Sequence, residues 1–201
     1  LNRQTGARQG CHLPGCQGEL QRLDTLLQHR HTQNRCPLSH LADTHRRQPL
    51  LTQPPADLTG RIPKELGNLK DLMSLGLSRC SLTGEIPAEL GNLENLKILE
   101  LFENKGLTGQ IPKELGNLKC LEKLYLGRCS LTGKIPAELG NLENLKILQL
   151  HTNEGLTGQI PKELGKLKNL EKLGLSSCSL TGEIPAELGN LENLKILQLH
   201  E

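Results

Sequence analysis

Residues 82–101 have the sequence Leu-Thr-Gly-Glu-Ile-Pro-Ala-Glu-Leu-Gly-Asn-Leu-Glu-Asn-Leu-Lys-Ile-Leu-Glu-Leu, one copy of a unit that fills most of the chain. Leucine occupies 46 of the 201 positions and valine none, as expected when one short unit is copied many times. Odd copies contain Lys-Glu-Leu and even copies Ala-Glu-Leu, so the copied unit is a pair of 49 residues. The string Leu-Thr-Gly-x-Ile-Pro-x-Glu-Leu-Gly begins at Leu58, Leu82, Leu107, Leu131, Leu156 and Leu180.

Each copy contains the pattern of one short strand and one helical turn. Leucines two residues apart, such as Leu75 and Leu77, predict a strand with one buried face. The strand is followed by Cys80 in an odd copy and by Asn104 in an even copy. A buried asparagine satisfies backbone groups of neighbouring turns, whereas cysteine packs there as a small residue with a weak donor. The Pro-Lys-Glu-Leu-Gly string predicts one helical turn that ends at Gly67.

This pattern resembles the plant-type leucine-rich repeat family over residues 58–201. The resemblance implies an α/β right-handed solenoid with a parallel concave β-sheet, short helical or 3-10 turns on the convex side, and a second short strand at Leu-Thr-Gly-x-Ile-Pro. The family seals its arrays with cysteine-paired caps that are not found here, so we expect a fragment of a longer protein. The six repeats are 58–81, 82–106, 107–130, 131–155, 156–179 and 180–201.

Residues 1–57 differ in composition from the repeats. They contain seven Arg, no Lys and four acidic residues, whereas residues 58–201 contain 17 cationic and 18 acidic side chains. We predict an irregular Arg-, Gln- and His-rich segment that ends in a Pro-Pro linker. The whole chain has a net charge of +2, which gives no electrostatic reason to expect a nucleic acid or a membrane surface as partner. No apolar run is long enough to predict a membrane segment.

An alternative for the N-terminal segment is a zinc-finger-like nucleic-acid binder. Two cysteines followed by histidines on a predicted helix resemble a zinc site. The fourth ligand departs from the motif, since six residues separate His29 from Cys36 and four separate His31 from Cys36. We therefore expect no metal or other cofactor, and retain as weak candidate ligands Cys11, Cys16, His29, His31 and Cys36.

The positions that vary between copies predict a binding face. They are mostly the strand residues between the leucines, whose side chains point away from the core. We predict Phe102 and Tyr125 as anchors of a protein or peptide ligand, because exposed aromatic residues on a rigid sheet often dominate interfaces. The alternative is drift at positions that packing does not constrain. Predicted to tune specificity, or placed at equivalent strand positions, are Glu100, Glu103, Lys123, Arg128, Gln149, His151, Lys172, Gln198 and His200.

No nucleophile with a base, paired carboxylates or phosphate loop stands out in the sequence, so we predict that the chain is not an enzyme. Non-catalytic protein or peptide binding in recognition or signalling is the main hypothesis. One alternative is a partial ectodomain of a leucine-rich repeat receptor kinase. Another is an ice-facing scaffold that uses the six exposed threonines of Leu-Thr-Gly, although a turn explains that row more simply.

Two observations bear on the compartment and disagree with the resemblance. Cys80, Cys129 and Cys178 recur about 10 Å apart by strand spacing, beyond disulfide reach, so we expect thiols. The sequence also lacks an Asn-x-Ser/Thr acceptor for glycosylation. Both observations slightly favour the cytoplasm. The plant-type resemblance favours an extracellular location, and the sequence alone leaves the question open.

Overall fold

A computed structural model describes residues 58–200 as a stack of similar coils, one per repeat. One strand from each coil, at its Leu-x-Leu positions, joins a six-stranded parallel sheet in the order β1-β3-β5-β7-β9-β11. This sheet confirms the predicted parallel solenoid. The strands in chain order are β1 (Ser74–Gly76), β2 (Thr83–Glu85), β3 (Ile98–Glu100), β4 (Gly106–Thr108), β5 (Lys123–Tyr125), β6 (Thr132–Lys134), β7 (Ile147–Gln149), β8 (Asn153–Gly158), β9 (Lys172–Gly174), β10 (Cys178–Leu180) and β11 (Ile196–Gln198).

The Leu-Thr-Gly-x-Ile-Pro insert forms the second strand that the resemblance implied. Strands β2 and β4 pair in parallel, and β6, β8 and β10 form a second small parallel sheet. Isolated bridges join Gly60 to Leu82 and Gln110 to Thr132, so the row continues between these sheets. The glycine of the insert adopts positive φ in every copy, 80° at Gly84, a backbone conformation in which other residues are strained.

Six 3-10 helices follow the Ile-Pro dipeptides, and each contacts the next along the stack. The predicted stop at Gly67 is wrong, because the first helix continues to Asn68. Gly67 is buried, and a Cβ atom there would overlap the backbone carbonyl of Glu89 in the next coil. The glycine therefore allows close packing between coils and does not end the helix. The helices span Lys64–Asn68, Ala88–Asn92, Lys113–Asn117, Ala137–Asn141, Lys162–Lys166 and Ala186–Asn190.

Leucines fill the space between the six-stranded sheet and the 3-10 helices. Leu99, Leu124 and Leu148 align in register along the sheet and have no exposed surface. Each such side chain contributes about 1.5 to 3 kcal/mol when it is fully buried. Among residues 58–200 the last coil has a neighbouring coil on one side, and its apolar residues are more exposed than their counterparts. Ile184 has 63% of its surface accessible, against 3% at the equivalent Ile86 and Ile135.

The segment 1–57 lies outside the described residues, and so do the five weak metal-ligand candidates in it. Between residues 58 and 200 no helix is long and apolar enough to cross a membrane. Within the same range no cluster of three His, Cys, Asp or Glu residues is arranged to hold a metal ion.

Candidate functional site

Buried asparagines at the turns of even coils hold the sheet in shape. Asn104 has no exposed surface. Its Oδ1 accepts hydrogen bonds from the backbone N–H groups of Cys80 and Leu82, at 3.0 and 3.1 Å. Its Nδ2 donates to the carbonyl oxygens of Leu77 and Leu101, both at 2.8 Å. One side chain thus satisfies four backbone groups, as the sequence predicted. Asn153 makes three of the four equivalent bonds in the fourth coil, with the N–H of Leu131 and the carbonyl oxygens of Leu126 and Leu150.

Cysteines occupy the same position in odd coils. The thiol of Cys129 is buried and donates to the carbonyl of Leu101 in the preceding coil, with an Sγ–O distance of 3.3 Å. Cys178 makes the equivalent bond to Leu150 at 3.4 Å. Burial raises the pKa of both thiols. They are not in disulfides, which agrees with the expectation from strand spacing.

The residue before each turn Asn or Cys points its side chain along one edge of the sheet. This residue has a φ of 52° to 58° in the first five coils, an uncommon conformation for residues other than glycine. Its backbone N–H donates to a carbonyl of the next coil, for example from Glu103 to Gly127 at 3.0 Å. The stack therefore enforces the conformation. The five residues in this row are Arg79, Glu103, Arg128, Thr152 and Ser177.

The outward face of the six-stranded sheet collects the variable side chains, and we call it the concave face after the family. Three rows cross the strands, followed by the row just described. A row consists of the residues that are paired in register on neighbouring strands. The first row contains Ile98, Lys123, Ile147 and Lys172 on successive strands. Successive strands are about 4.8 Å apart. The next rows are Gly76, Glu100, Tyr125, Gln149, Gly174 and Gln198, and then Ser78, Phe102, Gly127, His151, Ser176 and His200.

The two aromatic residues of the repeats lie against each other on this face. The rings of Phe102 and Tyr125 meet edge to face, with centroids 6.4 Å apart and an interplanar angle of 63°. The guanidinium of Arg79 lies over the Phe102 ring, 5.5 Å from its centroid. Both rings are partly exposed. They form a preformed aromatic surface of the kind that anchors ligands.

Charged residues frame the aromatic pair. Glu103 binds the Arg79 guanidinium through both carboxylate oxygens and also lies 3.5 Å from Nη1 of Arg128. The hydrogen bond from Arg79 lowers the pKa of Glu103, and Arg128 and His151 add to the shift. Burial, and secondarily the Glu100 charge, raises the pKa of Tyr125, so its hydroxyl stays protonated near neutral pH. The pair therefore lies beside an ionised network that aligns three neighbouring coils.

Two glycines in odd coils accommodate large side chains of the adjacent even coil. A Cβ atom at Gly127 would lie 2.6 to 3.0 Å from ring atoms of His151. A Cβ atom at Gly174 would lie equally close to the amide of Gln149. These two glycines are therefore packing partners. Variation at their position reflects packing as well as drift or binding.

His151 and Gln149 are more enclosed than the sequence analysis assumed. Gln149 keeps 6% of its surface accessible, so it offers little area to a ligand. The Nδ1 atom of His151 is buried without a hydrogen-bond partner among the described residues. Burial lowers the pKa of His151, and the charges of Arg128 and Lys172 lower it further, against a smaller opposite effect of Glu103.

The remaining predicted residues lie on the same face. Lys123 and Lys172 are partly exposed on β5 and β9, and Glu100 lies beside Tyr125 in register. Gln198 and His200 belong to the last described coil. The face also includes Ile98 and Ile147, which the comparison of copies missed because they do not vary. The strand period identifies them, because Ile98 and Ile147 lie two positions before Glu100 and Gln149 and therefore on the same face of the strand.

Comparisons with known proteins identify the family to which this fold belongs. A family model described as a leucine-rich repeat region matches residues 33–158 and 104–201. The chain therefore belongs to the leucine-rich repeat family. The first match begins at residue 33, within the segment that we predicted to be irregular. No curated protein sequence matches the chain.

Similar solved structures are plant receptor ectodomains and related complexes. The Arabidopsis thaliana receptor kinase ectodomain GASSHO1/SCHENGEN3, solved with CASPARIAN STRIP INTEGRITY FACTOR 2, is 46% identical, with a TM-score of 0.68 over 71% of this chain and 17% of that one. The plant peptide hormone receptor RGFR1, solved with RGF2, is 41% identical, with a TM-score of 0.69 over 71% of this chain and 23% of that one. The match thus spans about a fifth of the length of the chains in these two structures.

A shorter neighbour is covered more fully. The BIR3–SERK2 complex from Arabidopsis thaliana contains a chain that is 35% identical, with a TM-score of 0.56. The match covers 66% of this chain and 69% of that one. The comparisons do not support the slight preference for the cytoplasm, because ectodomains of membrane receptors lie outside the cell.

Proposed function

We propose that this chain binds an extended polypeptide through its concave face, without catalysis, as part of an extracellular ligand-recognition domain of a receptor kinase. The Phe102–Tyr125 pair is the observation that supports the proposal most strongly. The two rings lie edge to face, and the guanidinium of Arg79 packs over the Phe102 ring. A preorganised anchor loses little conformational freedom on binding, which favours affinity.

The similar structures give independent support for this class of function. Two of them were solved with a peptide hormone or an integrity factor bound. The leucine-rich repeat fold is of a ligand-binding type. A rigid stack with unvarying Leu, Gly and Pro positions and a variable sheet face suits recognition, because the face can change while the core does not.

A display experiment tests the proposal. The 201-residue chain is used to select from a yeast-displayed library of random peptides. We expect the wild-type chain to enrich related peptides, and Phe102→Ala with Tyr125→Ala to weaken their binding by at least about tenfold, since buried aromatic anchors dominate interfaces.

The matched control changes the opposite side of the same two coils. Asn92→Ala with Asn117→Ala lies at the exposed ends of two 3-10 helices. This variant should bind as the wild type does, and circular dichroism should show that both variants are folded. Equal binding by the aromatic variant would refute the anchor assignment, and a wild-type chain that enriches no peptide would refute the function.

A further inference from the structure

We infer that the surface between Lys123 and Lys172 binds an acidic polypeptide segment in the polyproline II conformation, with two carboxylates three residues apart. The inference rests on the proposed function and specifies the chemistry of its ligand. It concerns the first row of the concave face in coils three to five, next to the aromatic pair.

The spacing of the two lysines is fixed by the sheet. Lys123 on β5 and Lys172 on β9 are both in register with Ile147 on the intervening strand β7. Their Cα atoms are therefore about 9.6 Å apart. Both lysines are partly exposed, and the partly exposed Ile147 provides an apolar contact between them. Two cations thus flank one apolar side chain on a rigid platform.

Charges on the face favour an anion at this place. Among the described residues neither lysine forms an ion pair, whereas Arg128 already contacts Glu103. The described concave positions of coils three to six contain no carboxylate. Glu122 and Glu171, which precede the two lysines, are each bound by a lysine of the next coil at 2.7 Å.

The net charge of the repeats and the position of Glu100 restrict where on the face an acidic segment can bind. The repeats have a net charge of −1. The positive charge of the face is therefore local and opposes the rest of the array. Glu100 in the second coil would repel an acidic segment, which restricts it to the third coil and beyond.

The conformation of the ligand follows from the spacing. Polyproline II has three residues per turn and rises about 3.1 Å per residue, so side chains three apart share a face about 9.3 Å apart. This distance matches the two lysines. A β-strand would place side chains three apart on opposite faces. The backbone between the two carboxylates would pass over Ile147, and a flanking residue would reach Tyr125, two positions after Lys123 on the same strand.

Two synthetic peptides of equal composition test the inference. One is Pro-Glu-Pro-Pro-Glu-Pro, and the other, Pro-Glu-Glu-Pro-Pro-Pro, has adjacent carboxylates. Fluorescence anisotropy of labelled peptides with the whole 201-residue chain measures binding. We expect the first peptide to bind at least about fivefold tighter than the second, and its affinity to fall as salt is raised.

A pair of charge reversals locates the binding. Lys123→Glu with Lys172→Glu should weaken binding of the first peptide by about tenfold or more. The control Lys113→Glu with Lys162→Glu changes the same net charge in the same two repeats, on exposed 3-10 helices, and should leave affinity unchanged.

Three results would overturn the inference: equal losses in both charge-reversed variants, equal affinity of the two peptides, or no binding of either. The proposed function is judged separately. Display selection of uncharged peptides that Phe102→Ala with Tyr125→Ala no longer binds would leave the function standing and this inference refuted.

Discussion

Odd and even coils follow the same path and differ in two details that depend on each other. Even coils contain the turn asparagine together with Gln149 and His151, and odd coils contain the turn cysteine and the glycines that accept those two side chains. His151 over Gly127 and Gln149 over Gly174 show the pairing. The pair of 49 residues is therefore a unit of packing as well as of copying.

The turn residues differ because the preceding coils present different backbone groups. Where the first coil joins the second, the N–H groups of Cys80 and Leu82 both donate to Asn104. Where the second coil joins the third, the N–H of Leu107 donates to the backbone carbonyl of Asn104. The thiol of Cys129 donates to the carbonyl oxygens of Leu101 and Gly127. A cysteine is sufficient where fewer groups require a partner.

Among the substitutions that test the difference between odd and even coils, replacing the turn asparagine should destabilise the chain most. Asn104→Ala would leave four buried backbone groups without their partner. We expect the free energy of unfolding to fall by about 3 to 5 kcal/mol, measured by denaturant titration followed by circular dichroism. The control Asn144→Ala removes one exposed bond, to the carbonyl of Lys119, and should cost less than about 1 kcal/mol. Similar losses in both would show that the buried network does not stabilise the stack.

Replacing the turn cysteine should have a smaller effect. Cys129→Ala removes a buried sulfur and its bond to Leu101, so we expect a loss of about 1 to 2 kcal/mol in the same titration. Cys120→Ala, at a partly exposed thiol on the helical side, serves as control and should change stability by less than about 0.5 kcal/mol. If Cys129→Ala cost as much as Asn104→Ala, the two turn types would be equivalent and the comparison would fail.

The smallest effect on stability should come from the glycine beneath His151. Gly127→Ala would displace the imidazole and cost less than about 1 kcal/mol, because a flexible side chain can move. Displacement exposes the ring, so its pKa should rise toward the ordinary value of 6.5. An NMR titration of His151 measures this shift. Gly189→Ala, where a Cβ atom contacts nothing, should leave the pKa of His151 unchanged.

The sign of the pH dependence follows from the same shift. The folded chain holds the pKa of His151 below its unfolded value, so the unfolded state binds more protons in that interval. The contribution of His151 to stability is therefore lost as pH falls below about 6.5, and Gly127→Ala should lose less over that range. A steeper loss in the variant would contradict the packing of His151 over Gly127.

Much of the fold was predictable because the residues that determine the local structure recur along the array. Leu75 and Leu77 indicated the strand, and Asn104 the buried turn, from local chemistry that recurs along the array, whereas the second strand at Leu-Thr-Gly was implied by the family resemblance. The helical stop at Gly67 was predicted wrongly because its requirement is a close approach of Glu89 from the next coil, which no local pattern reveals. The variable positions indicated the face, but Ile98 and Ile147 were missed because only variation was considered.

Sequence alone determined the coil, since strand, turn and 3-10 helix depend on residues within one repeat and on the need of each repeat for a neighbour. Tertiary structure decided which side chains contact each other on the concave face. Register between coils brings Phe102 to Tyr125, bridges Arg79 and Arg128 through Glu103, and covers Gly127 with His151. These contacts join residues about 25 positions apart, so their chemistry exists only once neighbouring coils are stacked at a strand spacing of about 4.8 Å.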